Sequence, residues 1–178
     1  MTAVEPVPRA DLDQELNVLI GKARASRALS SDLAVRIWAH RPELAKAQLQ
    51  LQREVHEGRL LDGRLMELVR LRIAALNDCR ACQVARKSDD VSEEEVACLS
   101  ADDPRFTARE AAALRFAELF AIDHLAVDDV VLGELNRHFT AAEIVELGMF
   151  AALMLGSGRL VRVLRAYEDD DRPPVIGV

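Results

Sequence analysis

The sequence predicts an all-α protein, and three observations carry that expectation. Three capping boxes stand in the second half of the chain: Ser92…Glu95, Thr107…Glu110 and Thr140…Glu143. In each, a hydroxyl and a carboxylate three residues on satisfy each other's orphan backbone N–H groups, and an apolar run with helical spacing follows. No alternating apolar–polar run bounded by hairpin turns occurs. The composition is 50% hydrophobic with 4% aromatic and 30% charged residues, an Ala/Leu/Val-rich helical mixture.

The elements follow in order. Beyond a Pro-containing start, Leu12, Leu16, Leu19, Ile20 and Ala23 share one helical face, which predicts a helix over 11–28. Ser31 is placed to cap a short helix through Trp38. Pro42 suits the first turn of the next helix and Gly58 its end. Asp62 caps a helix that runs to about Asn77, and Asp78 caps a short one interrupted by Ser88-Asp89-Asp90. The capping boxes predict helices over 93–100, 108–123 and 141–167, with a further one over 128–138.

The 178 residues predict one domain: a tail and helix over 1–30 packed on the core, a helical domain over 31–167, and an acidic tail over 168–178. The last helix carries Gly148, Ala151, Ala152, Gly156, Ser157 and Gly158. Glycine costs about 1 kcal/mol against alanine inside a helix, so close packing, within the protomer or across a subunit boundary, is expected to offset it.

Charge and cysteine usage narrow the setting. A net charge of -7 argues against a nucleic-acid partner, whose phosphates need a basic surface. Three cysteines are too few and too clustered for a secreted disulfide scaffold, so a reducing cytoplasm is expected. The N-terminus lacks a basic segment followed by an apolar one, as a signal peptide would have. The most apolar stretch, Leu147 to Ser157, is short for a bilayer and reads as a core helix, so no membrane is expected.

Cys79-Arg80-Ala81-Cys82 is the motif that implies a chemistry most directly. Two thiols at this spacing on a first helical turn close a disulfide with little backbone movement, and a helix N-terminus favours the reactive thiolate. The spacing equally admits half a zinc site or two buried structural cysteines. Glu67 stands out on the preceding apolar helix, sharing a side with Leu71, Ala74 and Asp78. A carboxylate desolvated there would be raised toward the range of proton transfer; the alternatives are a salt bridge to Arg70 and simple exposure.

Glu67, an apolar helix, Cys79-x-x-Cys82 and then a Ser-x-x-Glu capped helix together resemble the core of the AhpD-like alkylhydroperoxidase branch of the carboxymuconolactone decarboxylase family. Trp38-Ala39-His40-Arg41-Pro42-Glu43-Leu44 is similar to that family's upstream segment. The stretches Phe106 to Leu114 and Arg137 to Leu147 are similar to its downstream helices, so the resemblance spans residues 35–165. It implies an all-α AhpD-like fold and a homo-oligomer, a trimer or hexamer. The implied activity is thiol-dependent peroxidase or disulfide reductase chemistry. Carried over, Cys82 attacks the peroxide, Cys79 resolves the sulfenic acid, and Glu67 begins a proton relay. Position at the helix tip alone would favour Cys79 as attacker, since it lies nearer the helix N-terminus. The resemblance also implies a hydroperoxide or disulfide substrate and a lipoyl-bearing or thioredoxin-like reductant.

One position departs from the family. Its relay ends in a histidine four residues after the second cysteine, where this chain has Arg86, which stays protonated and cannot shuttle a proton. One turn beyond Cys82 on a continued helix, Arg86 would act on a thiolate only electrostatically. His138 is the first candidate for a substitute relay. His40, His56 and His124 sit at expected helix ends, where a cation complements the dipole. Cys98 reads as a small buried side chain, and a zinc site would need two ligands beyond Cys79 and Cys82. No Gly-rich phosphate loop or nucleophilic serine motif is present, so no cofactor is expected and the thiols carry the electrons. Two other readings compete: a non-enzymatic helical oligomer or redox sensor that has lost the relay, and a carboxymuconolactone-type decarboxylase, a branch that does not need the C-x-x-C.

Overall fold

A computed structural model describes residues 2–167, and among the described residues no strand occurs. The helices are α1 (Gln14–Ala25), α2 (Leu33–Trp38), α3 (Pro42–Glu57), α4 (Gly63–Leu76), α5 (Arg80–Val84), α6 (Glu93–Ala97), α7 (Ala108–Ile122), α8 (Asp129–His138) and α9 (Ala141–Leu164). Single 3-10 turns lie at Arg9–Asp11 and His124–Ala126. The acidic tail expected over 168–178 lies outside the described residues.

The start and stop chemistry explains where the boundaries fall. Asp62, Ser92 and Thr107 cap α4, α6 and α7 as expected, and the Thr140–Glu143 reciprocal bonds begin α9; Asp128, the expected first residue of α8, is instead its N-cap. Pro42 opens α3 and Gly58 closes it. The first helix begins three residues later than its apolar spacing predicts, because Asp13 accepts the Leu16 N–H as the cap and Arg9–Asp11 forms the 3-10 turn. At α2, Asp32 takes the cap position expected of Ser31, whose hydroxyl oxygen accepts the Leu33 N–H at 3.2 Å. α6 ends at Ala97, short of Ser100, and α9 ends at Leu164 rather than 167. Arg165, at φ 53°, turns the chain there and lets the Ala166 N–H reach the Val161 carbonyl at 2.9 Å.

Two compact units divide the chain: residues 2–59 with 159–167, and Leu60–Gly158. In the first, α1 packs on α3, and Leu12, Leu16, Ile20, Val35, Ala45 and Leu49 form the core. Lys46 ties its helices: the ammonium lies 3.1 Å from Asp13, 3.0 Å from Glu15 and 3.0 Å from Glu43, and these carboxylates hold it charged well above the usual lysine range.

In the second unit α4 packs on α7 and α7 on α8, while α5 rests on α4. Leu68, Leu71, Val91, Leu99, Phe106 and Leu114 form one core cluster. Salt links join the capping boxes to each other. Arg64 donates to Glu95 at 2.6 Å and to Glu110 at 2.6 Å, so one guanidinium from α4 holds the starts of both α6 and α7. Arg109 donates to Glu143 at 2.7 Å, which ties the start of α7 to that of α9.

α9 is longer than the apolar stretch that marks it in the sequence. At 24 residues it is, by length and composition alone, long and apolar enough to cross a membrane. It buries Leu147, Phe150, Ala151, Leu153 and Gly158, as a core helix does. A second row, Val145, Met149, Ala152, Gly156, Leu160 and Val163, is exposed.

Candidate functional site

The dithiol is placed by the way α4 ends. Asn77 is its C-cap, and Asp78 adopts the left-handed conformation at φ 50°. Glycine is the usual occupant of this position, but a short polar side chain tolerates it better than most. The Asp78 N–H then reaches the Ala75 carbonyl and the Cys79 N–H reaches the Ala74 carbonyl, both at 3.1 Å. This pair of bonds satisfies the last carbonyls of α4 and reverses the chain. Asp78 is therefore the stop signal of α4, and Cys79 rather than Asp78 is the N-cap of α5.

Cys79 and Cys82 are joined in a disulfide, with Cα atoms 5.2 Å apart. The two residues differ in exposure: Cys79 is 2% exposed, whereas Cys82 is half-buried. Cys79 sits at the buried turn that caps α5, whereas Cys82 lies nearly one turn further along this five-residue helix, on a less buried position.

Glu67 forms the salt bridge weighed as an alternative in the sequence. Its carboxylate oxygens receive two parallel hydrogen bonds from Arg70, at 2.7 and 2.8 Å, and both residues are buried. Oε1 also accepts the Lys87 N–H at 3.0 Å. Arg70 does more than neutralise the acid. It donates to the Cys82 carbonyl and to the Ala85 carbonyl, each at 2.6 Å. The second of these contacts, with that of Lys87, lies past the end of α5, where Ala85 is extended. Sequence spacing shows the Glu67–Arg70 pair, being three residues apart on one helix, but gives no signal for the tertiary bonds to Cys82 and Ala85. Glu67 itself makes no hydrogen bond to either cysteine.

Arg86 does not lie one turn further along a continued helix, because α5 stops at Val84. Its guanidinium instead forks onto Glu93 at 2.9 and 2.8 Å and donates to the Gln83 carbonyl. The guanidinium holds the Glu93 carboxyl below its ordinary value. His138 closes α8, with Nε2 3.1 Å from Glu134, and its carbonyl accepts from Arg109. The structure thus links Glu67 to Cys82 through Arg70 and Cys82 to Cys79 through the disulfide, and gives Arg86 and His138 carboxylate partners of their own. His40 Nε2 lies 2.9 Å from the Glu5 carbonyl, His56 is in the last turn of α3, and His124 begins a 3-10 turn rather than ending a helix. Cys98 is exposed rather than buried, because α6 has ended and this residue is its C-cap.

A second anchor holds the turn that bears the dithiol. The Asn77 side chain is buried and donates to the Met154 and Leu155 carbonyls of α9 at 3.4 and 3.3 Å. A Cβ at Gly158 would lie 2.5 Å from Asn77 Nδ2, so this glycine makes the approach possible. One member of the small-residue row thereby acts inside the protomer.

No protein-family model matches the chain, and no curated protein sequence does. Solved structures do match. The chain is similar to the debrominase Bmp8 in its apo form, at 16% identity and TM-score 0.79, over 94% of this chain and 92% of that one. A cysteine-to-alanine variant of Bmp8 in complex with 2,3,4-tribromopyrrole gives 17% identity and TM-score 0.80, over 97% and 95%. An alkylhydroperoxidase AhpD core, a peroxidase-related protein from Ralstonia eutropha JMP134, matches at 21% identity and TM-score 0.72, over 93% and 92%. An Agrobacterium tumefaciens protein of unknown function, a candidate antioxidant defence protein AhpD, matches at 25% identity and TM-score 0.64, over 71% and 91%. The chain has the all-α AhpD-like fold that the sequence resemblance implies.

Proposed function

We propose that this AhpD-like chain is a thiol-dependent oxidoreductase that reduces hydroperoxides or disulfides through Cys79 and Cys82. The observation that carries the reading is the disulfide between a buried Cys79 and a half-exposed Cys82. Cys82 is the attacking thiolate, an assignment its greater access supports. With a hydroperoxide, the Cys82 sulfur takes the terminal oxygen, a proton joins the departing alkoxide, and an alcohol leaves. The Cys79 thiol then displaces water from the Cys82 sulfenic acid and the disulfide forms. A lipoyl-bearing or thioredoxin-like dithiol returns two electrons and two protons. A cytoplasmic setting, whose reductants keep such pairs reduced, suits this cycle.

The test is turnover of tert-butyl hydroperoxide with dihydrolipoamide as reductant. The wild type is expected to turn over and to yield the linked Cys79–Cys82 peptide on mapping. Cys82→Ser is expected to abolish turnover, while Cys79→Ser should stall after one oxidation with a sulfenic acid on Cys82. Both thiols remaining free after peroxide treatment would favour the non-enzymatic role and overturn this reading.

A second reaction of the same dithiol is favoured by the match to the debrominase structures over nearly the whole chain. In it a halogenated aromatic substrate exchanges carbon–halogen for carbon–hydrogen, halide and a proton leave, and the two thiols become the disulfide. Bromide release from 2,3,4-tribromopyrrole by the reduced protein, with none from Cys82→Ser, distinguishes it from peroxide reduction. The homo-oligomer, a trimer or hexamer, belongs to either reading; the exposed apolar row on α9 supports it. Light scattering showing a monomer at micromolar concentration would remove it.

A further inference from the structure

The Glu67–Arg70 pair occupies an unusual place. It is a buried ion pair on the helix that leads to the dithiol, and its carboxylate is occupied by the Arg70 fork and the Lys87 N–H. Its guanidinium touches the backbone of the residue assigned as attacker. Burying such a pair costs desolvation that its mutual attraction offsets only when the remaining donors and acceptors are also satisfied. Here they are. Arg70 uses the other side of its fork for the Cys82 and Ala85 carbonyls, and Glu67 accepts the Lys87 N–H.

These bonds fall on a segment that helix geometry alone leaves weak. α5 has five residues, and the chain beyond it is extended at Ala85. Isolated helices of this length do not persist, since nucleation is costly and few bonds repay it. The carbonyls of Cys82 and Ala85 belong to the last turn and exit of α5, where intrahelical donors run out. A guanidinium planted in α4 supplies those donors, and the Lys87 bond fastens the next stretch of chain to the same carboxylate.

We propose that Arg70, held in place by Glu67, is a positioning residue for Cys82. By fixing the backbone of α5 and its exit, it keeps the Cys82 sulfur where Cys79 can close on it, and so raises the tendency of the dithiol to become the disulfide. Glu67 acts on the site through Arg70 rather than by carrying a proton to a sulfur. The inference rests on the dithiol reading above and gives Glu67 a different task from the relay that the family resemblance implies. Its measurable quantity is an equilibrium: oxidised glutathione and the protein dithiol give the protein disulfide and two molecules of reduced glutathione. The equilibrium constant is the effective concentration of one thiol for the other, which falls when the segment bearing Cys82 is loosened.

The experiment titrates full-length protein with defined ratios of reduced to oxidised glutathione and reads the disulfide fraction after acid quench. Arg70→Lys keeps a charge for Glu67, but an ammonium lacks the planar fork that serves Glu67 and two carbonyls at once. It is expected to lower the equilibrium constant at least tenfold, with urea unfolding used to confirm that the variant is folded. The double variant Glu67→Gln/Arg70→Met leaves no stranded charge and is expected to lower it at least as far. Alkylation of the reduced double variant by iodoacetamide across pH separates positioning from proton transfer. A thiol titration curve of unchanged midpoint beside the lowered equilibrium constant is the expected result. Equilibrium constants within twofold of wild type in the folded Arg70→Lys variant would overturn the proposal, as would a displaced midpoint with no change in the constant. Failure of the dithiol reading looks different, because the wild type itself would then form no disulfide at any glutathione ratio.

Discussion

Two arginine–glutamate pairs flank the short dithiol helix, and they are nearly identical in hydrogen-bond geometry. Arg70 forks onto Glu67 at 2.7 and 2.8 Å, and Arg86 onto Glu93 at 2.9 and 2.8 Å. Their surroundings differ completely. The side chains of Arg70 and Glu67 are 6% and 1% exposed, whereas those of Arg86 and Glu93 are 22% and 76% exposed. Water competes for the outer pair and screens it, so its net contribution is small. The inner pair has no water to fall back on, and removing either partner strands a charge. Burial, not bond length, decides which pair organises the site.

The largest effect is expected at the inner pair. Glu67→Ala should lower the unfolding free energy in urea by about 3–5 kcal/mol, the cost of an uncompensated buried charge. A loss no greater than that of Glu93→Ala would break the comparison. Arg86→His comes next. The outer pair is exposed and the other Arg86 bonds go only to the nearby Gln83 and Ala85 carbonyls, so the substitution should be tolerated; it puts an imidazole four residues after Cys82, on the stretch that leaves α5. Peroxide turnover is expected to rise by up to about 10²-fold, with a rate–pH profile that steepens between about 6 and 8, where imidazole titrates. An unchanged rate and profile would show that position 86 takes no part in proton delivery.

A smaller effect tests the other anchor of the turn. Gly158→Ala would push a Cβ against Asn77 Nδ2 and displace the side chain from the Met154 and Leu155 carbonyls. Overpacking costs about 1–3 kcal/mol and the gain in helix propensity offsets about 1 kcal/mol, so thermal melting should show a net loss. Gly156→Ala, with nothing within 4 Å of its Cβ, should shift the melting temperature the other way.

Acid titration reaches the outer layer as a whole. Arg64 holds Glu95 down to about 2, and the Thr140 N–H with Arg109 holds Glu143 to about 2. Each of these folded values lies below the ordinary 4.5. Their stabilisation is therefore complete above about pH 4.5 and is lost as pH falls toward 2. Urea midpoints measured between pH 5 and 2 should fall in that window; a flat profile would remove these carboxylates from the balance. Smallest of all, Glu93→Ala should leave the urea midpoint close to that of the wild type, which brings the comparison back to its outer member.

Much of this architecture is legible in the sequence because it is local. Asp62, Ser92, Thr107 and Thr140 act within three residues of themselves, and the capping bonds they make depend on nothing distant. The limits of legibility are as physical as its reach. Asp78 has the side chain of an N-cap, yet it stands in the left-handed position that ends α4; the same short polar group serves both ends of a helix. At the exit of α5 the Cys82 carbonyl accepts from Arg70, a bond across 12 residues that no periodicity encodes. Cys98 looks buried because cysteines often are, and only the premature end of α6 turns it outward. At Glu67 the partner was readable from i, i+3 spacing, but the reach of that partner to Cys82 was not.

The burial of Cys79 has a consequence for traffic at the disulfide. An incoming thiolate must approach a sulfur along the line of the S–S bond, and it has access from the Cys82 side. In the proposed cycle the mixed disulfide would form on Cys82, with Cys79 as the leaving group. Oxidant and reductant would then visit one atom in alternation, each excluding the other while bound. On that reading the two half-reactions take turns at a single doorway, and their order would be set by which sulfur the α4 turn keeps out of reach.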